Sequence, residues 1–241
     1  MRSFSLCVLS LSACAGLTFT APSARAAPPS SELVTKLAEH AEAFEHMRNH
    51  AGFLIDASLL ELDGDGKTTS SMSGSARVDA DGHATHVTVI RYVEDGKDET
   101  ANAQKKAHEA DTKRPKKADD ERIHFPFLAR EQSKYVFDQV ESDPNDPSRV
   151  RITFVPKQPG TNSIDGSAWV DSSKGSILSA GFKLSRTPIF VDYIHVTVEF
   201  GAQTSMGAAV SRLTVDGGGG VLFLHRRFQG TASLTDYRIV P

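Results

Sequence analysis

Between Glu32 and Arg48 the apolar residues Leu33, Leu37, Ala41, Phe44 and Met47 recur every three or four positions, with Glu39, Glu42 and Glu45 turned to the other side. That period predicts an amphipathic helix with one face to bury. Ser30 or Ser31 stands where its first turn needs a cap. Beyond Gly52 the period changes. Short β-prone runs alternate with Gly, Asp, Asn and Pro turns: Phe53–Leu62, Thr68–Val78, Ala84–Val93, Lys134–Val140, Arg149–Pro156, Gly166–Asp171, Ile177–Ser185, Tyr193–Phe200, Val210–Val215, Val221–Phe228 and Thr235–Ile239. About eleven strands joined by short turns predict an antiparallel meander. Asp63-Gly64-Asp65-Gly66, Asp81-Gly82, Asp95-Gly96 and Ser173-Lys174-Gly175 carry the positive-φ chemistry of hairpins, and Gly217-Gly218-Gly219-Gly220 reads as a loose hairpin tip before a strand that starts at Val221.

Several runs alternate. Val196, Val198 and Phe200 share one face while His195, Thr197 and Glu199 share the other, and Val150, Ile152 and Phe154 oppose Arg149, Arg151 and Thr153. One side of the sheet is therefore wet, and the dry side must be covered by the helix, by a second sheet or by its own curvature. The stretch Asp98–Glu121 interrupts the meander: it is charged and predicts a short helix up to Thr112, broken by Pro115 and followed by a loop. After it, Ile123-His124-Phe125-Pro126-Phe127-Leu128 is apolar but too disturbed by Pro for a central strand. It reads either as a loop that plugs the open end of the sheet or as a lid, formed by Phe125, Phe127 and Leu128, over a ligand cavity.

The first 26 residues change the picture most. Arg2, the apolar and small-residue stretch Leu6–Phe19 and the Ala24-Arg25-Ala26 site predict a secretory signal over residues 1–26 and one domain over 27–241. Leu11-Ser12-Ala13-Cys14 also fits a lipobox, which would anchor an outer-membrane lipoprotein through Cys14. Both cysteines, Cys7 and Cys14, lie in this leader, so no disulfide, thiolate nucleophile or cysteine metal site is expected after it. Removing Arg2 and Arg25 leaves 25 basic residues against 30 acidic ones, which argues against nucleic acid as a partner. The basic tract Lys105–Lys117 is nearly cancelled by interleaved Asp and Glu and reads as a solvated segment.

Candidate chemistry is sparse. His46 and His50 lie one helical turn apart with Glu42 nearby, but the His-Glu-x-x-His pattern of a zinc hydrolase is absent. Asp63-Gly64-Asp65-Gly66 and Asp79-Ala80-Asp81-Gly82 open like calcium loops, yet the twelfth positions are Gly74 and Ile90 where a bidentate Glu is required. No Gly-x-Ser-x-Gly is present, and no Lys-Ser/Thr follows the glycine run as a phosphate loop needs. The expectation is a protein that is not an enzyme, with no metal and no cofactor.

Two stretches, Phe127-Leu128 through Ser133-Lys134-Tyr135-Val136-Phe137 and Gly166-Ser167-Ala168-Trp169-Val170-Asp171-Ser172-Ser173-Lys174-Gly175-Ser176-Ile177, together with the helix, the meander and the insertion, resemble the superfamily of periplasmic lipoprotein carriers and outer-membrane lipoprotein-sorting proteins. The resemblance implies a mainly β (α+β) fold, the meander curled into an incomplete barrel whose concave face holds acyl chains. On this chain an apolar cavity would draw on Ile152, Phe154, Trp169, Phe182, Leu184, Val196, Val198 and Phe200. The implied partners are lipid or lipoprotein acyl chains and outer-membrane or other envelope proteins, the implied compartment the periplasm. The alternative is a cell-envelope structural or interaction module of the same fold that holds no ligand.

Overall fold

The computed structural model describes residues 27–82, 84–113, 123–205, 207–221 and 224–239. The expected leader with Cys14 and Ala24-Arg25-Ala26, and the loop expected around Pro115, lie outside the described residues.

The helical period gives α1, Ser31–His50, whose Ser30 hydroxyl accepts the Leu33 N–H at 3.2 Å and so satisfies one of the first-turn donors. Its apolar stripe is the buried one: Leu33, Leu37, Ala38, Ala41 and Met47 are closed off from solvent. Strands follow as β1 (Ala51–Leu62), β2 (Thr68–Ala80), β3 (Thr85–Glu94) and the two-residue β4 (Lys97–Asp98). After the helices α2 (Thr100–Lys113) and α3 (Ala129–Gln132) come β5 (Tyr135–Ser142), β6 (Arg149–Pro156), β7 (Ile164–Asp171), β8 (Ser176–Leu184) and β9 (Val191–Glu199). The chain ends with β10 (Ala202–Thr204), β11 (Gly207–Ala209), β12 (Arg212–Val221) and β13 (Leu224–Ile239).

Eleven of these strands form one sheet in the order β4-β3-β2-β1-β13-β12-β9-β8-β7-β6-β5, every pairing antiparallel; β10 and β11 make a separate small hairpin. The outermost strands β4 and β5 do not pair with each other, so the sheet is not closed into a barrel. The last strand, β13, stitches the amino-terminal meander to the carboxyl-terminal one by pairing with β1. The charged insertion is the crossover between the two edges: the chain leaves β4, passes through α2 and α3 and re-enters at β5.

Two sequence expectations are corrected. The runs expected at Val221–Phe228 and Thr235–Ile239 are not separate strands: Val221 ends β12, and Leu224–Phe228 and Thr235–Ile239 both belong to the 16-residue β13. Nor is the glycine run a hairpin tip: Gly217 to Gly220 lie inside β12, paired with Phe228 to His225 of β13, and the pairing continues to Val221 opposite Leu224. The physical reason is space. A Cβ on Gly217 would stand 2.1 Å from the Phe228 ring, and one on Gly219 would stand 2.1 Å from the Phe190 carbonyl oxygen. Here glycine serves close approach of neighbouring groups within a strand.

The inner face of the sheet is the one under α1, and the registers identify it strand by strand. Phe154 stands opposite Gly166 and Ile152 opposite Ala168; Ala168 faces Ala180, which faces Val198, and Val198 faces Leu213. The closed core forms where α1 and the 125–128 segment meet the β5–β9 half: Leu37, Phe127, Leu128, Ile152, Phe154, Ile164, Val170 and Ile177 pack there. The helix lies across one end of the sheet. Lys36 sits against Gly175 in the β7–β8 turn, and His50 sits against Gly82 in the β2–β3 turn.

Candidate functional site

Of the residues expected to line a cavity, the structure brings most onto the inner face but does not leave them all open. Ile152 and Phe154 are fully buried and form the floor of the core. Phe182, Leu184 and Val198 are half-buried and pack against that core; Val196 continues the row, and Phe200 is 6% exposed beneath α1. Trp169 is not brought together with them. It pairs with Arg151 and Ser179, one residue out of phase with buried Ala168 and Val170, and stands on the outer face.

The 125–128 segment is wedged inside. Phe127 is 1% exposed, stacks on Phe137 at 5.3 Å between ring centroids and meets Phe154 edge-on at 5.7 Å. Leu128 is equally buried, whereas Phe125 is only half-buried, set between Phe44 and Phe200. Polar contacts lock the wedge to α1. The Gln132 side-chain amide donates to the carbonyls of Val34 and Phe127 at 3.1 and 2.9 Å. Arg130 forks onto Glu45 with both contacts at 2.7 Å, and this guanidinium holds the Glu45 carboxyl below its usual range.

The other half of the inner face differs. On β1, β2 and β3 the residues Ile55, Leu59, Met72, Val78, Val87 and Val89 share the inner side, and each is half-buried, none closed off. They form an apolar strip continuous through Leu234, Leu213 and Val215 with Val196 and Val198. α2 stands beside β3, tied by the Tyr92 N–H donating to the Thr100 hydroxyl at 2.9 Å, and Thr100, Ala103 and Ala107 on it are half-buried. Because α1 crosses the end that carries the β2–β3 and β7–β8 turns, the strip runs toward the opposite end, where the β1–β2 and β12–β13 turns lie.

Elsewhere the chemistry is limited. A cavity of about 780 Å³ lies beside the wedge, lined among others by Arg130, Lys134, Tyr135, Lys157 and Asn162. Its lysines are engaged: Lys134 with Glu131 at 2.9 Å, Lys157 with the Ser133 carbonyl at 2.8 Å. The His46 and His50 rings lie tilted against each other with centroids 4.6 Å apart, but among the described residues no group of three or more His, Cys, Asp or Glu is arranged to hold a metal ion. The two calcium-like openings are hairpin turns, with the Asp63 carboxylate accepting from the Asp65 and Lys67 N–H groups, and Gly82 at φ 85°. Among the described residues no helix is long and apolar enough to cross a membrane.

No family model and no curated protein matches the chain. Among solved structures it is similar to a LolA superfamily protein from Nitrosomonas europaea, with a TM-score of 0.41 and 9% identity over 86% of this chain and 94% of that one. A DUF1329 family protein from Desulfovibrio piger gives a TM-score of 0.39 and 9% identity over 86% and 92%. A putative outer membrane lipoprotein-sorting protein domain from Vibrio parahaemolyticus gives 0.33 and 8% over 84% and 93%.

Reasoning from sequence passed over two features of this region. The fork of Arg130 on Glu45 had no signal, since 85 residues separate the partners. The turn Pro188-Ile189-Phe190-Val191 did leave one, two large apolar residues after a proline between strand-like runs.

Proposed function

We propose that this protein is an exported, non-enzymatic envelope protein, resident in the periplasm, that holds lipid or lipoprotein acyl chains against the inner face of its open sheet. The observation that carries the reading is the division of that face. Its β5–β9 half is filled by α1, Phe127 and Leu128, while its β1–β3 half leaves Ile55, Leu59, Met72, Val87 and Val89 half-buried in a continuous apolar strip. The filled half, with Ile152 and Phe154, is the rigid floor; Phe182, Leu184, Val196, Val198 and Phe200 form its boundary with the strip, and Phe125 lies at the wedge's exposed margin. Burial of each methylene supplies ~0.8 kcal/mol, so eight methylenes laid along the strip contribute roughly 6 kcal/mol, equivalent to an affinity of tens of micromolar.

The test is extraction of the protein purified from the bacterial envelope, with mass spectrometry of the extract, followed by titration with a fluorescent fatty acid. Leu59→Asp with Val89→Asp places two charges on the half-buried strip and is expected to weaken binding at least 10-fold while leaving the circular dichroism spectrum unchanged. A protein that carries no lipid and ignores the fatty acid overturns the proposal and favours the interaction module with no ligand.

A further inference from the structure

Ile189 and Phe190 are 81% and 64% exposed. They sit at the tip of the β8–β9 connection, in a turn closed by the Val191 N–H donating to the Pro188 carbonyl at 3.1 Å. Phe190 has φ 74°, a conformation that a bulky side chain rarely adopts. Adjacent structure holds it there. The Gly220 N–H donates to the Phe190 carbonyl at 3.1 Å, and Gly219 leaves the room that this oxygen occupies. Gly219 and Gly220 of β12 are therefore the socket of this turn, and its product is the display of two apolar side chains to solvent. The turn lies at the sheet end away from α1, where Val191 pairs with Gly219 of β12 and Gly219 with Arg226 of β13.

The surroundings define the occupant. Arg186 precedes the turn by two residues and is exposed, as are His225, Arg226 and Arg227 on β13, across β12 from Val191. Arg226 also meets Glu61 at 3.2 Å, and Arg227 donates to the Tyr193 hydroxyl at 3.1 Å, which keeps both guanidinium groups at this end. The exposed Asp192 follows the turn, and Arg186, Arg226 and Arg227 outnumber it there. An apolar tip flanked by these arginines matches a lipid surface, where the tip enters the acyl boundary and the guanidinium groups meet anionic headgroups. We infer that the Pro188–Val191 turn docks the protein onto membranes containing anionic lipid. This goes beyond the proposed carriage of acyl chains and does not depend on it: a sheet with a filled face would dock in the same way.

The experiment is co-sedimentation of the exported, processed protein, its amino terminus defined by mass spectrometry and with Cys14→Ser to remove any acyl anchor. Vesicles are of phosphatidylethanolamine with 30% phosphatidylglycerol, or of phosphatidylcholine alone. Ile189→Ser with Phe190→Gly removes the apolar tip, and Gly suits the positive φ, so folding is retained and thermal unfolding monitors it. Binding to the anionic vesicles is expected to fall at least 10-fold in this variant. Arg186→Gln with Arg227→Gln should lower it several-fold and erase the preference over phosphatidylcholine. The inference is overturned if the parent binds neither vesicle or if the folded tip variant binds as well as the parent. It is equally overturned if the tip variant changes only the oligomeric state, since the occupant is then a second copy of the chain. Failure of fatty-acid binding with retained vesicle binding would count against acyl-chain carriage alone.

Discussion

Replacing Phe127 with Ala separates a wedge from a lid. The ring is 1% exposed, stacked on Phe137, edge-on to Phe154 and to Phe125, and it stands with Leu128 at the junction of α1 and the β5–β9 half. Truncation removes its transfer energy and leaves a cavity between two elements that cannot both close on it, so the cost is about 3 to 5 kcal/mol. Against a total stability of roughly 5 to 15 kcal/mol for a domain, that is a large fraction. Phe127→Leu keeps much of the apolar volume and should cost about 1 to 2 kcal/mol. Urea denaturation followed by circular dichroism and by Trp169 fluorescence gives both values, and agreement of the two probes checks that one transition is being measured. A loss below about 1 kcal/mol for Phe127→Ala, with fatty-acid affinity altered instead, would refute the wedge: a segment that closes over a ligand contributes little to the free protein.

The Arg130 fork on Glu45 ties the wedge to α1. Because the folded carboxyl is held below its unfolded value, its contribution is complete above the unfolded pKa and is lost as pH falls through the folded one. Glu45→Gln should therefore cost about 1 to 2 kcal/mol at pH 7 and flatten the fall in stability as pH drops below the ordinary Glu value of about 4.3, as read by urea midpoints taken from neutral to acid pH. For the amino end, Cys14→Ser is expected to leave export, processing and solubility unchanged, because the apolar stretch runs on through Cys14 to Phe19 and Ala24-Arg25-Ala26 offers ordinary cleavage. Fractionation and amino-terminal sequencing check it, and loss of both processing and membrane partitioning in the variant would instead establish a lipoprotein.

What could be read in the sequence is what depends on neighbours in the chain. The three-to-four residue stripe of α1, the Ser30 cap, the alternation of β6 and β9 and the Asp-Gly turns are local, and each occurs where its pattern placed it. The organisation of the inner face is not local. Trp169 has the same hydrophobic signature as its neighbours, and only the β6–β7 register, which sets it opposite Arg151, puts it on the outer face.

The glycine run shows the same limit at the level of single atoms. In sequence, four consecutive glycines carry no side-chain information, and hairpin chemistry is the commonest use of such flexibility. In the fold their value lies in what they omit, since Phe228, Tyr193 and the Phe190 carbonyl each occupy space that a Cβ on Gly217, Gly218 or Gly219 would take. The side chains admitted there belong to β13 and β9, and the carbonyl belongs to a turn that begins 31 residues before Gly219. A residue whose function is to be absent leaves its signal on its partners: here, on an exposed Ile189-Phe190 pair that no local rule for turns would have chosen.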